Sequence, residues 1–161
     1  MITDTVNFQT PVWCCQYMVS LIPDDVLTVL EPTPGAGNLV TAVRESGRYV
    51  VDAPECFEDV APMSVYDCII MNPPFTPIKT GYNILFQCLD MSDCVIALMP
   101  WLTVINSERR TARLKAYGLK SIIHLPRTVF PGSRVQCCVL NLQRGYLGDT
   151  QFIVLEKSKW V

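Results

Sequence analysis

Apolar residues recur along the chain in two rhythms. Short continuous runs at 26–30, 66–71, 93–99, 120–125 and 136–143 are rich in Val, Ile and Leu and end at Pro, Gly or acidic residues. Runs of that length and composition read as strands buried in a sheet, and weaker ones follow the same pattern at 48–52 and 150–155. Between them lie four helical stretches, at about 11–21, 39–45, 80–90 and 107–118. Thr10 is placed to cap the first, with Pro11 as its opening residue. Thr80 or Gly81 opens the third, and the fourth runs from Ser107 to a stop at Gly118. Strand and helix alternate, which predicts an α/β fold: a mostly parallel seven-stranded sheet with helices on both faces. The short connection at 127–134 favours an antiparallel pair, so an antiparallel edge is expected. The whole chain, 1–161, is read as a single domain, with no internal repeat or linker.

Two connections stand out chemically. The run at 66–71 passes into Asn72-Pro73-Pro74-Phe75, where successive prolines stop both a further ladder and an immediate helix. That leaves a stiff loop at the carboxyl edge of a strand, where open α/β sheets bind ligands. The loop offers an amide, a backbone carbonyl followed by a residue without an N–H, and an aromatic face, a set suited to a planar amine. The run at 26–30 passes into Glu31-Pro32-Thr33-Pro34-Gly35-Ala36-Gly37-Asn38 and then a helix, so Gly35 and Gly37 let the backbone approach a ligand. Val40 occupies the place of the third glycine of a dinucleotide fingerprint, and no Gly-Lys-Ser/Thr follows. Glu31 would repel phosphate and instead suits an ammonium group or free hydroxyls. The 48–52 strand ends in Asp52-Ala53-Pro54-Glu55, about 20 residues beyond the glycine turn, where a carboxylate commonly grips a ribose diol; Asp52 is the first choice and Glu55 the second.

Composition narrows the class. The chain has 50% hydrophobic and 17% charged residues, which excludes disorder, and a net charge of -2 gives no global attraction to nucleic acid. The one basic cluster is Arg109, Arg110, Arg113 and Lys115, read as a solvated helix face that is also the best candidate for phosphate contact. Eight cysteines form no Cys-x-x-Cys pair, so no metal site is expected and the thiols read as free and reduced. The opening Met1-Ile2-Thr3-Asp4 lacks a signal-peptide pattern and no apolar run approaches a membrane span, which predicts a cytoplasmic protein. Trp101 reads as a cap on the core rather than a wall of the pocket, and His124, the only histidine, as a packed residue.

Phe-x-Thr-Pro at 8–11, Glu-Pro-x-Pro-Gly-x-Gly at 31–37 and Asn-Pro-Pro-Phe at 72–75, in that order, resemble motifs X, I and IV of the S-adenosylmethionine-dependent N6-adenine DNA methyltransferases, in the gamma arrangement. Leu125-Pro126-Arg127-Thr128-Val129-Phe130-Pro131-Gly132 and Cys137-Cys138-Val139-Leu140 are similar to the end of those catalytic domains. The resemblance implies a class I, Rossmann-like methyltransferase using S-adenosyl-L-methionine, with no metal. It implies catalytic roles for Asn72, Pro73, Pro74 and Phe75: Asn72 and the Pro73 carbonyl accept from the target amine, and Phe75 stacks on a base taken out of the duplex. Phe8, Thr10 and Pro11 would line the methionine end of the cofactor. Glu31, Pro32, Gly35 and Gly37 would surround its amino-acid portion, Asp52 or Glu55 would hold the ribose, and Phe57, Glu58 or Asp59 could meet the adenine. The expected substrate is adenine in DNA, with RNA, protein glutamine or a catalytically silent module as alternatives. No target-recognition domain is recognisable, so a separate specificity subunit or an oligomer is an expected partner.

Overall fold

The computed structural model of the protein describes residues 9–60 and 65–156. Its elements are α1 (Val12–Ser20), β1 (Thr28–Leu30), α2 (Asn38–Glu45), β2 (Val50–Asp52), β3 (Cys68–Met71), α3 (Ile78–Met91), β4 (Cys94–Pro100), α4 (Leu102–Ile105), α5 (Glu108–Tyr117), β5 (Leu119–His124), β6 (Cys137–Gln143) and β7 (Gln151–Val154). Short 3-10 turns at Phe57–Asp59 and Arg127–Val129 complete the set. All seven predicted strands are present, and the strands pair in the order β2-β1-β3-β4-β6-β5-β7.

Neighbours from β2 to β4 are parallel, and β6 runs antiparallel to both β4 and β5. The antiparallel pairing expected from the connection after β5 is therefore the β5–β6 pair, and β7 adds an outermost strand parallel to β5. Between β2 and β3, where the sequence leaves space for at most a brief strand, the described residues hold only the turn at Phe57–Asp59.

Every residue of β3 and β4 is buried, because helices cover both faces and the pleat sends alternate side chains to each. Cys68, Ile70, Ile96 and Leu98 join a core with Cys14 and Met18 of α1 and Leu39 and Val43 of α2. Ile69, Met71, Val95 and Ala97 face the other way, against Leu85 and Leu89 of α3 and Leu114 of α5. Two layers of helix thus clamp the central strands.

Two local expectations change. Thr10 does not cap α1: no side chain caps that helix, and the Pro11 carbonyl begins its hydrogen bonds by accepting from Cys15 N. Gly81 does not open α3 but sits one turn inside it. A Cβ there would lie 2.8 Å from the Pro74 carbonyl oxygen, so glycine is needed for the helix to approach the double-proline loop. Ser107 does cap α5, accepting from Arg110 N at 3.2 Å, and Gly118 follows its last residue at φ 137°. The eight thiols are free, and burial pushes Cys15, Cys88 and Cys137 up to about 12, so these three behave as small apolar side chains. No described helix is long and apolar enough to cross a membrane.

Candidate active site

The carboxyl edge of the sheet opens into a cavity of about 620 Å³, within the range of pockets that hold cofactors and small ligands. Four connections build its walls. Glu55, Cys56, Phe57 and Glu58 follow β2; Glu31, Thr33, Pro34 and Gly35 follow β1; Asn72 to Thr76 follow β3. The fourth wall comes from the β5–β6 connection, through Phe130, Gly132, Ser133, Arg134 and Val135. Thr10 closes the cavity from just before α1, and Thr80 and Ile84 from α3.

At the centre, Asn72 follows the last residue of β3 and is fixed by its amide nitrogen, which donates to Thr10 Oγ1 at 2.6 Å. Thr10 is itself buried and held, since its carbonyl accepts from Asn38 Nδ2 at 2.9 Å. The hydroxyl that could have capped α1 instead orients the amide. Asn72 Oδ1 and the Pro73 carbonyl accept no hydrogen bond among the described residues. Two acceptors therefore stand at the end of a buried strand, beside the half-buried ring of Phe75. Such a pair can take both hydrogens of an amino group and fix its plane.

Glu31 is 1% exposed, a rare environment for a carboxylate. Burial raises its carboxyl from 4.5 to about 8, opposed by hydrogen bonds from the Thr33 N–H and hydroxyl. Both bonds fall on Oε1, at 2.7 and 3.2 Å, and Oε2 receives none among the described residues. A buried acid with one vacant oxygen suits a ligand ammonium, which would restore its charge. Gly35 and Gly37 both have positive φ, 53° and 89°, and a Cβ at either would meet nothing within 4 Å. The turn is therefore open on its outer side. Gly35 lines the cavity, while Gly37 turns the chain into α2.

The remaining candidates divide. Glu55 lines the cavity, whereas Asp52 does not: its Oδ2 accepts from the Tyr66 hydroxyl at 2.7 Å. Pro11 and Pro32 do not line the cavity, and Phe8 falls outside the described residues. Phe57 and Glu58 line the cavity, and Asp59 instead accepts from the Cys56 thiol. Sequence reading did not single out Thr33, Asn38, Thr80 or Arg134. Asn38 was in view as the last residue of the glycine stretch, before the helix expected from 39, but Arg134 sits in a loop with no pattern of its own. The α5 cluster is largely tied down. Arg110 donates to the Thr103 and Leu102 carbonyls and lies 4.0 Å over the Tyr82 ring; Arg113 lies 4.3 Å over Phe86; Lys115 reaches Thr150. Trp101 donates its indole N–H to His124 Nδ1 at 3.0 Å, and neither lines the cavity.

No protein-family model matches the chain, and no curated protein matches its sequence. Solved structures match its shape. The methyltransferase subunit of a type I restriction-modification system from Streptococcus thermophilus superposes with a TM-score of 0.73 at 17% identity, over 92% of this chain and 47% of that one. A Listeria monocytogenes protein assigned to the class I S-adenosylmethionine-dependent methyltransferases gives 0.73 at 16% identity, over 96% and 68%. A modification subunit assigned to a type I restriction enzyme of Vibrio vulnificus gives 0.68 at 16%, over 95% and 48%. The fold is that of the class I S-adenosylmethionine-dependent methyltransferases. The chain spans about half the length of the two type I subunits, at 47% and 48%.

Proposed function

We propose that the chain is an S-adenosylmethionine-dependent methyltransferase that acts on the exocyclic N6 amine of adenine in DNA. The observation that carries this reading is one cavity, at the carboxyl edge of a class I fold, shared by the Asn72 acceptor pair, the buried Glu31 and the open glycine turn. The type I restriction-modification subunits among the similar structures add support for DNA as the substrate.

The lining residues fit the cofactor. Glu31 Oε2 would pair with its ammonium, Gly35 would admit its amino-acid portion, and Glu55, which lines the cavity in place of Asp52, would accept from the ribose hydroxyls. Thr10 would stand between this end and Asn72. When bound, the cofactor would supply an electrophilic methyl on a sulfonium. The chain's contribution is then positional. Asn72 Oδ1 and the Pro73 carbonyl accept the two N–H groups, hold the amine in plane and direct its lone pair at the methyl carbon. Transfer to the amine would leave the donor as a neutral thioether, and the one amine proton lost would pass to solvent. Phe75 offers a stacking face for the base, which must leave the helix to reach the site.

The test is transfer of labelled methyl to unmethylated genomic DNA, bulk RNA and a protein extract, run beside Asn72→Ala. Label in DNA that disappears in the variant is expected. Label confined to RNA or protein would replace DNA as the substrate, and cofactor binding without any transfer would refute an autonomous enzyme.

A further inference from the structure

Asn38 opens α2, yet its side chain does nothing for that helix. Gly37 stands at the cap position, no side chain caps the helix, and asparagine is among the weaker helix formers. The amide is used elsewhere: Nδ2 donates to the Thr10 carbonyl at 2.9 Å, from 28 positions away in sequence. A carbonyl can only accept, so this bond fixes which end of the amide faces Thr10. Among the described residues the Asn38 side chain makes no other hydrogen bond.

Thr10 depends on such a hold. It lies ahead of α1, outside helix and sheet, and three side chains meet its oxygens: Asn38 and the Cys15 thiol at the carbonyl, and Asn72 at the hydroxyl. The thiol contact, at 3.5 Å, is the weaker hold, since S–H is a poor donor. The Asn72 side chain in turn bonds to Thr10 and to no other described residue. Asn38, Thr10 and Asn72 therefore form a single line of hydrogen bonds, from the start of α2 to the loop after β3, and the line has no second route to Asn72.

We propose that Asn38 is a positioning residue for methyl transfer: by holding the Thr10 carbonyl, it places the hydroxyl that orients the Asn72 amide. This rests on the methyl-transfer reading and extends its machinery to a residue that acts on the amine only through Thr10. Without the Asn38 amide, the Thr10 carbonyl keeps the thiol contact alone, and Asn72 Oδ1 loses its fixed direction. A misplacement of about 1 Å can cost about 100-fold in rate, so a slackened link of a few tenths of an ångström should cost about 10-fold.

The test is a double-mutant cycle on methyl transfer to unmethylated DNA, with Asn38→Ala, Thr10→Val and the double variant. Asn38→Ala should lower kcat by about 10-fold and leave the KM and calorimetric affinity for S-adenosylmethionine within about twofold. Asn38→Asp, of the same shape without the amide donor, should lose at least as much kcat. The double variant should fall no lower than Thr10→Val, because both changes cut one line; independent roles would multiply the two losses. A second readout needs no turnover. In the 15N-labelled, cofactor-free protein the side-chain amide signal of Asn72, identified by its absence in Asn72→Ala, should shift in Asn38→Ala as it does in Thr10→Val. Multiplied losses, or an Asn72 signal that Asn38→Ala leaves unmoved, would overturn the proposal. Loss of S-adenosylmethionine binding in Asn38→Ala would make Asn38 a cofactor ligand and overturn it as well. A wild type that methylates nothing refutes the methyl-transfer reading instead, while the amide signal still reads the link from Asn38 to Asn72.

Discussion

Glu31→Gln should make the protein more stable and less able to hold its cofactor. Glutamine keeps the shape and the Oε1 acceptor for both Thr33 bonds, and removes only the charge. In the wild type the carboxyl is raised from 4.5 to about 8 in the folded state, mainly by burial. Between these pH values the folded protein binds the proton that the unfolded chain has released, so stability falls as pH rises through the window. At about 1.4 kcal/mol per pH unit, the gap from 4.5 to about 8 corresponds to a loss on the order of 5 kcal/mol, complete above pH 8 and absent below 4.5. Urea unfolding of the cofactor-free protein at several pH values should show this slope in wild type and its absence in Glu31→Gln. A bound ammonium repays the burial cost of the charged acid, so added cofactor should stabilise wild type most at high pH and the variant far less. Parallel stability–pH curves for the two proteins would refute the reasoning.

Three further substitutions probe the Asn72 loop, its supports and Arg110. In Gly81→Ala the new Cβ lies 2.8 Å from the Pro74 oxygen, and reaching the 3.4 Å of ordinary contact opens the helix–loop contact by about 0.6 Å. Better helix propensity, about 1 kcal/mol, offsets part of a packing cost of about 1–3 kcal/mol, so melting should change little while kcat falls by about 10-fold. Thr10→Val removes the acceptor of the Asn72 amide; kcat should fall at least 10-fold and recover in Thr10→Ser, with cofactor affinity measured by calorimetry changing much less. Arg110→Gln should destabilise by about 1–2 kcal/mol, through lost bonds to α4 carbonyls and the lost Tyr82 stack, and leave the salt dependence of DNA binding unaltered.

Much of the fold was legible because each central strand is a continuous apolar run, a pattern that burial on both faces imposes. Strand order was not, since which strand β6 inserts beside depends on packing between distant segments. The Asn72 loop and the glycine turn could be read because proline and glycine restrict the backbone locally. Sequence position ranks Asp52 ahead of Glu55, yet Glu55 lines the cavity and Asp52, at the end of β2, does not; nothing local to β2 shows that Tyr66, from a separate segment, engages Asp52 with its hydroxyl. Thr10 carried a helix-capping signal that tertiary contact overrode, its hydroxyl being held to Asn72 across 62 positions of sequence. Arg134 had no local signal at all, because only the β5–β6 pairing brings its loop back to the cavity.

The central claim is that Asn72 and its loop present an adenine amine to a methyl donor. Its most direct measurement is nucleoside analysis of DNA incubated with S-adenosylmethionine and either wild type or Asn72→Ala. The account predicts N6-methyladenine from the wild type alone, with cofactor binding retained by the variant. Methylation at another atom, or equal N6-methyladenine from both proteins, would contradict it.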